Sequence, residues 1–407
     1  MPRSQVGRRL AAAGLIDSMG TGMFLTVSAI YFTRIGALTP AEVAFGLSLG
    51  GLVGFAGLVP IGALADRFGA GPVYIVLQVW RGLGYGAYAF TSGFPSYLAV
   101  TSALGLGNGA AMSVSQAVVG VAVQSEDQVD TLAKIRAVRN VGYGLGTVVA
   151  TAVLFQGSRA AFMALVVGNA ASFLVCAAML HGAGVGRLTT GRTTSRFRLI
   201  RDPHYLIAAV FNGVLSVHQV LLFVAMPLWI ATRTDVPVFV VGVLVAINNV
   251  MCVTLQARFS VGSVTLRGAA RAMAQAGLAL GACAVVLFAM GLVRAVPVAI
   301  ALAILSAVLV TSGELWQSAG GWAISYRLAR RERRGQYLAT FQLGNSLQSM
   351  LGPTVVVAMV FRLQFGWLAL AAAVVLAGLL VPPVATRSPM VGQRARAVDP
   401  NQSDSVA

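Results

Sequence analysis

Gly62-Ala63-Leu64-Ala65-Asp66-Arg67-Phe68-Gly69-Ala70-Gly71 joins two apolar runs, at 43 to 65 and 71 to 91, each long enough to cross a bilayer as a helix. Its glycines let two helix ends turn sharply and approach closely. Outward from this stretch the same pattern recurs. Further runs of spanning length lie at 10 to 33, 96 to 120, 138 to 156, 160 to 180, 205 to 230, 237 to 257, 268 to 291, 297 to 325, 338 to 361 and 365 to 385. Twelve helices result, and the short connections within 138 to 180 and 338 to 385 demand helical hairpins. No segment alternates with period two over ten residues, so helices, which satisfy their own backbone in lipid, are the only spanning elements.

The composition agrees. Of 407 residues, 57% are hydrophobic and 10% charged, with a mean hydropathy of +0.81. Soluble domains hold about 25% charged residues, so this chain cannot cover itself for water. A secreted enzyme, a DNA-binding protein and a disordered chain are excluded. The basic start, Met1 to Arg9, and Ala11-Ala12-Ala13 imitate a signal peptide, but the apolar run continues past Asp17 to Phe32 and reads as the first helix. Cys176, Cys252 and Cys283 lie inside apolar runs without metal-ligand spacing and read as small apolar fillers.

The net charge of +17 rests on 29 basic residues, all but Lys134 arginine. With the N-terminus inside, 23 of them fall in cytoplasmic segments and five outside (Arg34, Arg159, Arg233, Arg294 and Arg362), while Arg81 sits mid-helix. That asymmetry predicts both termini in the cytoplasm, and it explains the charge by anionic headgroups rather than nucleic acid. The longest inner segment, 181–204, holds Arg187, Arg192, Arg196, Arg198 and Arg201 at the midpoint of the chain. The expected organisation is a six-helix bundle over 1–180, a cytoplasmic basic linker at 181–204, a second bundle over 205–385 and a flexible cytoplasmic tail at 386–407. Two parallel repeats of six are the arithmetic of a secondary transporter.

The loop at 62–71, a Gly, a Leu, then Asp-Arg, one residue and Gly, resembles the loop motif of the major facilitator superfamily, in the position and on the side that family requires. Gly105-Leu106-Gly107-Asn108-Gly109-Ala110-Ala111 is similar to its fourth-helix pattern, and Gly142, Gly144 and Gly146 to its antiporter motif. The chain departs from the family in having Ala70 and Gly71 for the closing basic pair, Ala103 for the expected arginine, and no proline in the fifth-helix motif. The resemblance implies an all-α polytopic membrane protein, twelve helices in two six-helix bundles, with a cavity near the midplane and a drug/proton antiporter-like activity. It also implies a gate of Gly62, Asp66, Arg67 and Gly69, in which Asp66 meets the positive N-terminal end of the eleventh helix near Gly335-Gln336-Tyr337. The alternative is an acid and a base solvated in a short turn.

Charge at membrane depth costs about 2.5 to 3.5 kcal/mol on insertion scales, so each such residue is a candidate site. Asp17, Arg81, His218 and Glu314 qualify. Tyr74, Gln78, Arg81, Tyr85 and Tyr88 share one helical face, which can bind an aromatic or anionic molecule. Equally, Arg81 can pair permanently with Asp17 or Glu314. The candidate proton-coupling groups are Asp17, Glu314 and His218, each with a bland alternative as a neutral hydrogen-bond partner. Trp316 and Gln317 beside Glu314 can enclose a ligand. Asn212, Ser216 and Gln219 form one polar stripe and Gln342, Asn345 and Ser349 another; with Asn248 and Asn249 they face the cavity or a neighbouring helix. The substrate-binding set is then Arg81, Tyr85, Tyr88, Gln78, Asn212, Gln219, Asn345 and Trp316.

No paired histidines, nucleophile elbow, CxxC or phosphate-cradling loop is present, so neither an enzyme nor an ATP-driven pump is expected, and no metal or cofactor. The expected function is proton-coupled export of a small amphiphilic compound, drug or metabolite, by alternating access. The alternatives are an importer or facilitator of a small organic anion with Arg81 as clamp, and a non-transporting receptor or scaffold. Expected partners are a small-molecule substrate, protons and the lipid bilayer, with the chain a monomer. The Arg-, Ala- and Gly-rich composition suggests a GC-rich bacterium and its cell membrane.

Overall fold

The computed structural model describes residues 5–122, 128–185, 202–328 and 334–386. Most of the segment 181–204 and nearly all of 386–407 lie outside the described residues. Twelve helices account for almost everything else. They are α1 (Gln5–Arg34), α2 (Pro40–Phe68), α3 (Ala70–Ala87), α4 (Phe94–Ala122), α5 (Gln128–Gln156), α6 (Arg159–Gly182), α7 (Pro203–Arg233), α8 (Val240–Val261), α9 (Leu266–Met290), α10 (Val296–Leu328), α11 (Arg334–Arg362) and α12 (Gly366–Thr386). Among the described residues, nine are long and apolar enough to span a membrane by themselves, and α8 has a shorter apolar stretch, Val240–Gln256. In α3 the apolar pattern is diluted by Gln78 and Arg81, and in α4 by Gly, Ser and Asn.

The packing repeats with an offset of six helices. In the first bundle α1 packs on α5 and α6, α2 on α4, and α3 on α4 and α6. In the second, α7 packs on α11 and α12, α8 on α10, and α9 on α10 and α12. Small residues permit the closest crossings, since helix association in lipid relies on backbone approach. Gly50 and Gly54 of α2 face Gly105 and Gly109 of α4, and a Cβ added at Gly54 would stand 2.6 Å from the Gly105 carbonyl oxygen.

Sequence boundaries err chiefly at helix starts. α5 begins at Gln128, ten residues before the predicted 138, because its first turns are polar and extend beyond the apolar run. The predicted seventh helix is interrupted: a turn at Ser216–Val217 is followed by a π segment over Leu221–Ala225. Pro227 accounts for the π segment, since it donates no backbone N–H and its ring clashes with the carbonyl four residues back, at Phe223.

The two bundles meet mainly through α2 with α11 and α5 with α8. These contacts lie at the end of the molecule remote from the α2–α3 turn. Thr354 Oγ1 lies 2.9 Å from Ser48 Oγ and its N–H donates to the same oxygen at 3.1 Å. Asn249 Nδ2 donates to Thr147 Oγ1 at 3.1 Å, Phe155 meets Phe239 edge to face, and Gly242 abuts Thr151. This end is closed.

Candidate functional site: a cavity between the bundles

A cavity of about 1660 Å³ separates the two halves. From the midplane its walls run to Gln256, Ser263 and Tyr326, at the end that carries the α2–α3 turn and the start of α1. The structure is therefore open at that basic end and closed at the other.

The first bundle contributes an aromatic wall. Phe24 of α1 stacks on Tyr88 with ring centroids 5.6 Å apart and meets Tyr85 edge to face at 4.9 Å. Asn108 of α4, with Asn140 and Tyr143 of α5, adds polar groups to the same surface. The second bundle contributes His218, Gln219, Asn248, Asn249, Cys252 and Glu314. Among the described lining residues Glu314 is the only Asp, Glu, Lys or Arg. Its Oε2 accepts a hydrogen bond from Asn248 Nδ2 at 2.7 Å and lies 3.8 Å from His218 Nδ1. The break in α7 places His218 and Gln219 at the wall, immediately before the π segment.

Other expected site residues stand elsewhere. Arg81 and Gln78 are inside the first bundle rather than on the wall. Arg81 Nη1 donates to Gln78 Oε1 at 2.8 Å, its Nε donates to Asn108 Oδ1 at 2.7 Å, and its guanidinium lies 4.1 Å from the centre of the Phe173 ring. Of the two carboxylates offered as its partner, Asp17 is the one it meets, Oδ1 lying 3.5 Å from Nη1. Asn212 and Asn345 stand behind the second wall, where Asn212 Nδ2 and Ser216 Oγ both donate to Asn345 Oδ1, at 2.9 and 2.7 Å. Gln317 completes that network by donating to Asn212 Oδ1 at 2.7 Å. Gln219 and Ser349, from the same sequence stripes, reach the cavity. Trp316 packs against Phe259 at 4.9 Å and is not a lining residue.

At the loop, Gly69 has φ of +95°, a conformation open to glycine, and its N–H caps α2 by donating to Ala65 O at 2.9 Å. Gly62 has nothing within 4 Å of an added Cβ, and Asp66 and Arg67 are exposed.

Sequence reasoning overlooked Arg139. Counted as a loop cation, it lies eleven residues inside α5, and its Nη1 is 3.7 Å from Asp17 Oδ2. Arg139 and Tyr143 are four apart on α5, so an earlier helix start would have placed both on one helical face. Cys252, read as a filler, lines the cavity, whereas Cys176 and Cys283 are buried.

Two pseudo-repeated bundles around a central cavity open at one end define a membrane transporter rather than an enzyme. The pattern of the Major Facilitator Superfamily matches residues 10–353, and the chain belongs to that family. Among curated proteins nothing matches the sequence. Solved structures share the fold. The nucleoside transporter NupG (D323A mutant) superposes with a TM-score of 0.76 at 14% identity, over 93% of this chain and 100% of its own. A POT family transporter in complex with a thioalcohol-conjugated peptide gives 0.75 at 12% identity, over 94% and 96%. A bacterial homologue of the human lysosomal transporter Spinster, inward-facing and occupied, gives 0.66 at 12%, over 96% and 97%.

Proposed function

We propose that the protein exports a small amphiphilic compound, neutral or cationic, across a bacterial cell membrane in exchange for protons, working as a monomer by alternating access. The observation that carries this reading is the wall itself: an aromatic surface faces a cavity in which, among the described residues, the one formally charged lining group is the carboxylate Glu314. Aromatic rings and an acid together suit a flat, weakly basic molecule. The orientation comes from the arginine count, which becomes 22 to 5 once Arg139 is moved into the bundle and still puts the open end in the cytoplasm.

The organic-anion reading needs a cation in the wall, and Arg81 is already engaged by Asp17, Gln78, Asn108 and Phe173. Glu314, with His218 beside it, is the group through which protons couple. Its protonation changes the cavity charge by one and biases the two bundle arrangements differently with and without substrate. Glu314→Gln in proteoliposomes should abolish export of a cationic dye driven by a pH gradient while downhill exchange persists, slowed by the loss of the carboxylate's attraction for the dye. Uphill export at the wild-type rate would overturn the assignment.

A further inference from the structure

We infer that Asp17 is the anion of a two-arginine clamp that positions the cavity wall, and not a carrier of protons. It is 1% exposed on α1, with Oδ1 3.5 Å from Arg81 Nη1 of α3 and Oδ2 3.7 Å from Arg139 Nη1 of α5. The other titratable groups influenced by its charge are Tyr74 and Tyr85 of α3 and Cys176 of α6, with Tyr143 beside Arg139. None of these can replace a carboxylate between two guanidiniums. Arg139 has no other acidic partner among the described residues, so a neutral Asp17 would leave two cations facing each other inside the bundle.

Both arginines lead to the wall. Arg81 Nε holds Asn108 Oδ1 at 2.7 Å, and Asn108 Nδ2 in turn donates to the Tyr85 hydroxyl at 3.3 Å. Arg139 is one helical turn from Tyr143 and adjacent to Asn140. Asn108, Tyr85, Asn140 and Tyr143 all line the cavity. A fixed charge at Asp17 thus ties α1, α3 and α5 together behind four lining residues. Glu314 differs in each respect: its side chain is 27% exposed, and its partners are the amide of Asn248 and His218.

The inference rests on the transporter reading for its functional arm, while its stability arm needs no substrate. Asp17→Asn, Asp17→Asn/Arg139→Gln and Asp17→Asn/Arg81→Gln are purified as full chains, unfolded thermally, and assayed in proteoliposomes for ethidium export driven by a pH gradient. Each paired variant keeps the clamp's net charge of one positive unit. Asp17→Asn alone should lower the unfolding temperature and reduce export by about ten-fold or more, whereas at least one paired variant should recover most of the unfolding temperature and export within about three-fold of wild type, with the wild-type pH profile. A paired variant that is stable and passes ethidium downhill but not uphill would make Asp17 the proton carrier. If neither pair is more stable than Asp17→Asn, charge compensation is not what Asp17 supplies and the clamp is refuted. Should wild type fail to move ethidium, the cation-export reading fails while the unfolding temperatures still decide the clamp.

Discussion

Arg81 makes two hydrogen bonds, an ion pair and a contact with an aromatic face, dividing one planar guanidinium among them: Nε serves Asn108, Nη1 serves both Gln78 and Asp17, and the group as a whole lies over Phe173. Lysine keeps the charge but cannot divide it among these partners. Arg81→Lys should therefore fold with a loss of about 1 to 3 kcal/mol, the cost of leaving a buried polar group such as Gln78 Oε1 without its donor. Thermal unfolding of the purified variant checks the stability, and an unchanged midpoint would mean that the network is redundant. Some of this was legible in the sequence. The face of α3 could be read from periodicity, and Asp17 could be named as a partner of Arg81. Which carboxylate it meets was not legible, because that depends on how α1 and α3 cross. Arg139 was missed for a simpler physical reason: an apolar run marks only the part of a helix in hydrocarbon, and the polar first turns of α5 look like loop.

Among the elements, α2 and α11 approach backbone to backbone at Gly51, where α2 has no side chain in the way. A Cβ at Gly51 would stand 2.7 Å from the Ser349 carbonyl oxygen and 3.2 Å from Met350 Cα, both backbone atoms that cannot rotate aside. Gly51→Leu should therefore penalise the arrangement seen here by about 1 to 3 kcal/mol, the usual range for overpacking. That would shift the balance toward the opposite arrangement by about 5- to 150-fold. Cys252 provides the readout, as the one cysteine of three that lines the open cavity. Its alkylation by an impermeant maleimide, applied from the cytoplasmic face of inverted vesicles, should slow several-fold in Gly51→Leu. Labelling at the wild-type rate would show that the closed end accommodates the side chain. The existence of all twelve helices was legible from hydropathy, yet the break in α7 was not. Pro227 marks where a helix is disturbed, but the extent of the disturbance is set by packing against α10 and α11, where Asn212, Gln317 and Asn345 fix the preceding segment.

For the whole molecule, alternating access requires the closed and open ends to exchange. In the present arrangement the described contacts of α2 with α11 run from Ser48 and Gly51 to Ser349 and Thr354, while the basic end of α2, with Gly62 and Asp66, stands apart. Rocking the bundles to open the far end must bring the basic ends together, and α11 begins there at Arg334. A helix N-terminus carries unsatisfied N–H groups and the positive end of the dipole, so Asp66 is placed to be drawn toward it in the arrangement not seen here, and only there. Exposed interactions of this kind contribute about 0.3 to 1 kcal/mol, equivalent to a few-fold change in population. On the proposed export cycle, Asp66→Asn should accordingly reduce turnover by about two- to five-fold, because the opposite arrangement loses that interaction, while dye affinity measured at the end open here stays the same or rises slightly. The comparison needs turnover in proteoliposomes and equilibrium dye binding to the same preparation. Loss of both in equal measure would point to a folding defect, and unchanged turnover would reduce the Asp66-Arg67 loop to a solvated turn.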